Sequence, residues 1–98
     1  MNIQAMMKQA QALQKDMMKI KNEVENKEFI GESSLVKVTV KGTKELVNVE
    51  INSDSSLEVE DIELLQDMIV IAVNEANKKV DKEMEQKMGK FGNIPGLF

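Results

Sequence analysis

Apolar residues recur at the start of the chain at alternating steps of three and four: Ile3, Met6, Ala10, Leu13, Met17, Ile20 and Val24. That spacing marks one face of an α-helix, in the heptad form that packs against a neighbouring helix. The opposite face carries Lys8, Lys15 and Asn22 at seven-residue spacing, with Gln4, Gln11 and Lys19 beside them. The pattern predicts an amphipathic helical arm over residues 1–27 with a cationic back.

The period then falls to two. Val36, Val38 and Val40 alternate with Lys37, Thr39 and Lys41, and a return segment alternates Val47, Val49 and Ile51 with Asn48 and Glu50. One face of each segment is therefore apolar, as in a half-buried strand. Gly42 and Thr43 stand at the bend of this hairpin, 35–51, and suit a two-residue type II′ turn with positive φ at Gly42. That turn pairs Lys41 with Lys44, Val38 with Val47 and Val36 with Val49. A further short strand is expected at about 28–32, reversed through Ser33 and Ser34, so the antiparallel strands occupy 28–53. Three short strands cannot enclose a core, and their valine face calls for helices or a second copy to cover it.

Helical spacing returns in Ile62, Leu65, Ile69, Ala72, Ala76, Val80, Met84 and Met88, predicting a long helix over 57–88. Ser55 with Glu58 three places on fits a capping box, and the acidic run from Glu58 to Glu63 complements the positive end of the helix dipole. The middle, MIVIAV, is apolar on nearly every side, which predicts burial on every side. One small sheet covers one side only, so a homodimer is expected, with Val36, Val38, Val47, Val49, Met68, Ile69, Ile71 and Ala72 in its interface. Gly89, Gly92, Pro95 and Gly96 break the helix, and 89–98 is expected to be a flexible tail. The whole, 1–98, reads as one α+β domain: helix, three-stranded antiparallel sheet, helix.

Charge changes the picture more through its placement than through its sum. The net charge of −4 argues by itself against a nucleic-acid partner. Yet residues 1–22 hold Lys8, Lys15, Lys19 and Lys21 against Asp16 alone, while 54–67 hold six acids and no Lys. All 13 basic residues are Lys. A Lys ammonium is a mobile point charge without the planar fork that reads guanine edges, so any DNA contact is expected to be with phosphate.

The chain has no Cys and no His, which removes disulfides, soft-metal ligands and the commonest general base and nucleophile. The Glu60 and Asp61 pair belongs to an acidic helix start, where dipole complement explains it without catalysis. Asp54, Ser56 and Glu58 imitate a calcium loop, but Val59 stands where Gly is required and Leu65 where a bidentate Glu is required. Gly42 has neither a Walker lysine nor a dinucleotide fingerprint around it. No metal, cofactor or small-molecule substrate is therefore expected, and no enzyme. The polar interruptions Lys8, Gln9, Gln11, Gln14 and Lys15 exclude a signal peptide's apolar stretch, and no apolar run approaches membrane length, so a cytoplasmic protein without a membrane partner is expected.

Two weaker signals have bland readings. Met6, Met17, Met84 and Met88 fall on helix seams, where Met packs ordinary cores; Met7 and Met18 lie off the seam and are better placed for a partner. The Lys8, Lys15, Lys19 stripe is also what a solvated helix face looks like.

Taken in order, MMKQAQALQKDM, GESSLVKVTVKG, VNVEI, LLQDMIVIAVNEANKKV and IPGLF resemble the YbaB/EbfC family of small bacterial nucleoid-associated proteins over almost the full length. The resemblance implies a tweezer-like homodimer that binds duplex DNA with limited sequence preference in the cytoplasmic nucleoid, with consequences for nucleoid organisation and gene expression. If the second helix folds back antiparallel to the first, Lys8, Lys15 and Lys19 join Lys78, Lys79 and Lys82 near a tip, and two tips grip a duplex bivalently. The competing reading is a prefoldin-like chaperone or dimeric scaffold without DNA binding, which also sets a small ribbon between heptad helices.

Overall fold

The computed structural model describes residues 2–53 and 56–91. Ser55 of the expected capping box and residues 92–98 of the expected tail lie outside them. In chain order the elements are α1 (Ile3–Glu25), β1 (Glu28–Ser33), β2 (Val36–Lys41), β3 (Leu46–Ile51) and α2 (Ile62–Met88), with single 3-10 turns at Val59–Asp61 and Gly89–Phe91 flanking α2.

Polar side chains bond to the backbone N–H groups at the start of α1 and at the 3-10 turn that leads into α2. Asn2 caps α1, its Oδ1 accepting from the backbone N–H of Gln4 at 3.0 Å and of Ala5 at 3.4 Å. Before α2, the backbone N–H of Glu58 donates to Asp61 Oδ2 at 2.8 Å. The acids Glu60, Asp61 and Glu63 sit in this first stretch, as the dipole favours.

The strands form one antiparallel sheet in the order β1-β2-β3. Its second hairpin corrects the predicted register. Val38 faces Val49 and Val36 faces Ile51, with an irregularity between Thr39 and Val40 that leaves Val47 as the extra residue of a bulge. The loop contributes one place of the shift and the bulge the other. Lys44 N–H donates to Lys41 O at 2.7 Å and Lys41 N–H to Glu45 O at 2.9 Å, so Gly42, Thr43 and Lys44 all belong to the turn. Lys44, not Gly42, takes the left-handed backbone, with φ of 72°. This is a three-residue loop closed by a residue in the left-handed region, in place of the predicted two-residue turn. The shift is by two places, an even number, so Val49 and Ile51 keep their face. The first hairpin turns through Ser34 and Leu35, with Ser34 at φ 49°.

α2 lies across β1 and β2. Val36, Val38 and Val40 are buried beneath it with Phe29, and Met68, Ala72, Ala76 and Val80 come down from the helix, with Val24 of α1 completing the core. The helix comes close because small residues meet at the crossing: a Cβ built on Gly31 would stand 2.0 Å from Ala72 O and 2.9 Å from Ala76 Cβ. β3 extends past this cover. Leu46, Val47, Val49 and Ile51 are 37 to 48% exposed, although Leu46, Val49 and Ile51 pair with the buried valines of β2 and so share their face.

α1 packs on the far end of α2. Val24 shares the core with Val80, and Lys21, one turn earlier, shares a groove with Met84 and Met88, one and two turns later, so the helices run antiparallel. Only the second half of α1 is covered: Leu13, Met17 and Ile20 are half-buried, whereas every residue from Asn2 to Ala12 is exposed. The protein is accordingly 72 Å long and 19 by 14 Å across, with a radius of gyration of 19.8 Å. A compact chain of this length has a radius of about 13 Å.

Candidate nucleic-acid interface

The first three turns of α1 form a free rod because their seam outruns its partner. Ile3 and Met6 continue the stripe that Leu13, Met17, Ile20 and Val24 pack against α2, yet they are 71% and 51% exposed. Lys8, Lys15 and Lys19 occupy the opposite face, so packing of the seam turns them to solvent. The three span about 16 Å along the axis at 1.5 Å per residue. None of them makes an ion pair among the described residues. Lys19 has anionic neighbours, sharing a surface groove with Asp16 and Glu23.

The predicted lysines of α2 divide. Lys78 and Lys82 are exposed. Lys79 donates to the backbone O of Ile30 at 2.7 Å and stands 3.5 Å from Glu75, so its ammonium ties α2 to the sheet. The structure does not gather all six at one tip. Lys78, Lys79 and Lys82 flank Val80 and therefore lie at the base of the arm, beside Val24, while Lys8 stands about 24 Å farther out along α1. The antiparallel fold is as expected, but α2 ends after Met88, too soon to accompany the outer arm.

The eight residues expected at a dimer interface divide as well. Val36, Val38 and Ala72 are completely or almost completely buried within the protomer and Met68 is 8% exposed, so they have almost no surface left for a second copy. The valines face α2 and are covered by it. Ile69 is half-buried, and Val47, Val49 and Ile71 are exposed. Leu46, Ile51 and Leu64, which are not among those eight, are 45 to 52% exposed. Leu64 precedes Ile71 by seven residues and shares its helix face, a spacing legible in the sequence. β3 is an edge strand of the sheet, and its outer side offers a row of backbone donors and acceptors.

No group of three or more acidic side chains among the described residues is arranged to hold a metal ion. Nor is any helix among them long and apolar enough to cross a membrane.

Comparison with known proteins agrees with this architecture. A nucleoid-associated protein of Pelotomaculum thermopropionicum is 45% identical over 102 aligned residues, covering 99% of this chain and 96% of that one. One from Lactococcus lactis subsp. cremoris is 47% identical over 93, covering 93% of each chain. Among solved structures, an uncharacterized protein from Helicobacter pylori superposes with a TM-score of 0.74 at 19% identity, over 95% of this chain and 99% of that one, which establishes a shared fold. The profile of the YbaB/EbfC DNA-binding family matches residues 1–94, and with relatives this similar along nearly the whole length, the chain belongs to that family.

Proposed function

We propose that this chain is a nucleoid-associated protein of the bacterial cytoplasm that grips duplex DNA, as a homodimer, mainly through lysine contacts to phosphate. The family is one of DNA-binding proteins rather than enzymes. The observation that carries the reading is α1 itself, whose apolar seam faces one way and whose unpaired Lys8, Lys15 and Lys19 face the other, with Lys8 on the half that projects beyond α2. Phosphate contacts release counterions and need no base-specific geometry, which suits a surface built only of Lys and implies limited sequence preference. Binding of this kind bears on nucleoid organisation and, through access to promoters, on gene expression. Lys78 and Lys82 extend the basic surface at the base of the arm; Lys79 contributes least, being held against the sheet.

The uncovered part of the sheet supports the dimer in this reading. Leu46, Val47, Val49 and Ile51 together with Leu64 and Ile71 form an apolar surface that a second copy would cover. Two arms on one dimer then bind with an effective concentration that a single arm lacks. Val49→Asp places a charge on that surface and is expected to halve the mass in light scattering while retaining the helical spectrum; an unchanged mass would remove β3 from the interface.

Replacing Lys8, Lys15 and Lys19 by Glu is expected to weaken binding to unrelated duplexes in a low-salt gel shift while leaving the fold intact. Unchanged affinity would sink the arm as the contact surface. The exposed Ile3, Met6, Met7 and Met18 favour a second reading, a prefoldin-like chaperone or scaffold. Suppression of client aggregation by a chain that does not shift DNA would select it.

A further inference from the structure

The arm is connected to the sheet by only Asn26 and Lys27, and Lys27 contacts every element that meets there. Its backbone N–H donates to Val24 O of α1 at 3.1 Å, and its carbonyl accepts from Gly42 N–H of the β2–β3 turn at 2.9 Å. Its ammonium donates to Glu83 Oε1 of α2 at 2.6 Å and lies 5.4 Å from the centre of the Phe29 ring on β1. The Glu83 carboxylate is itself constrained: its other oxygen is buried without a hydrogen bond, 3.9 Å from Lys87 Nζ. Lys44 of the same turn is paired to Asp81 of α2 at 2.7 Å. Gly42 sets how close the turn approaches α1. A Cβ there would stand 1.8 Å from Val24 O and 2.8 Å from Glu25 Cα. Both are backbone atoms, so no side-chain rotation relieves the collision.

We infer that Gly42 and Lys27 are positioning residues that fix the direction in which α1 leaves the sheet, and thereby where Lys8 and Lys15 meet a duplex. The inference rests on the DNA-binding reading of the arm. Neither residue needs to touch DNA: Gly42 acts by having no side chain, and Lys27 spends its charge on Glu83.

The size of the effect follows from the lever. Restoring the Gly42→Ala contact from 1.8 Å to an ordinary 3.4 Å requires a shift of 1.6 Å at the last turn of α1. With the preceding turn, about 5.4 Å away, as pivot, the helix tilts by about 17° and carries Gln11, about 14 Å beyond the pivot, by roughly 4 Å.

The chain has no Cys, so spin labels can be placed uniquely at Gln11→Cys and Glu32→Cys, with labelled protein diluted into unlabelled protein so that intrachain distances are read. Gly42→Ala is expected to displace the mean distance by several ångström, Lys27→Met to broaden the distribution, and both to weaken binding to a mixed-sequence duplex. Lys27→Arg keeps the charge and is expected to retain both the distances and the affinity. Unchanged distances in folded Gly42→Ala and Lys27→Met proteins would overturn the inference, as would weakened binding without a change in distance. Altered distances with full DNA affinity would retain the clamp but refute the arm as the DNA contact, so the two failures are distinguishable. Should Gly42→Ala not fold, the Lys27 pair decides alone.

Discussion

Replacing Gly31 by Ala adds one methyl group at the point where β1 touches α2, and the structure sets its cost. The new Cβ would stand 2.0 Å from Ala72 O, 2.7 Å from Ala76 N and 2.9 Å from Ala76 Cβ. Two of these neighbours are backbone atoms of a helix interior, so the sheet and helix must part by 1.4 Å for the nearest contact to reach 3.4 Å. That movement loosens the packing of Phe29, Val36, Val38 and Val40 beneath the same helix. Overpacking typically costs about 1–3 kcal/mol, and a clash between backbones belongs at the upper end. Ala also restricts the unfolded chain, which returns about 0.4–1 kcal/mol at unstrained sites. A net loss of about 2–3 kcal/mol is therefore expected, or a fall of about 8–24 °C in Tm for a domain of this size. Urea and thermal unfolding followed by far-UV circular dichroism measure it, at matched protein concentration because self-association shifts apparent stability. Gly89→Ala is the control, since nothing lies within 4 Å of its added Cβ. Ala76→Gly should not rescue Gly31→Ala, because the nearest collision is with the Ala72 carbonyl. If Gly31→Ala melts within about 0.5 kcal/mol of the control, the range of ordinary surface substitutions, the close helix–strand contact is not what holds these layers together.

Two further outcomes are expected. Ser34, at φ 49°, occupies a backbone conformation that costs an L-residue about 1–2 kcal/mol; Ser34→Gly should be neutral or stabilising and Ser34→Val destabilising by at least about 1 kcal/mol, read as Tm, and a Val variant as stable as the Gly variant would contradict the turn geometry. For DNA, changing Lys8, Lys15 or Lys19 to Gln should flatten the slope of log affinity against log salt by about 0.9 for each phosphate left without its ammonium, and an unaltered slope in the triple variant would mean that these lysines do not meet phosphate.

Element type and order were legible in the sequence because each segment follows one period. The seam of α1 at steps of three and four, the alternating valines of β2 and the length of α2 are local patterns, and burial of one face follows from them directly. The candidate site was legible in part for the same reason: Lys8, Lys15 and Lys19 lie opposite the seam whatever the seam packs against. What local pattern did not supply was the partner of each face. Gly42 looked like the source of positive φ in its turn, whereas its role is to let backbone approach backbone at Val24, and Lys44 bears the left-handed conformation. Such an approach joins residues distant in sequence and leaves no periodic trace.

The sequence by itself thus determined two amphipathic helices around an antiparallel ribbon, their apolar faces and a cationic back to the first helix, since side-chain spacing alone sets these. Only the tertiary structure decided which apolar residues remain exposed. α2 covers β1 and β2 but stops short of β3, and it ends at Met88 before the seam of α1 ends. Both outcomes depend on where one helix sits on one sheet, a matter of packing between segments that local periodicity does not encode.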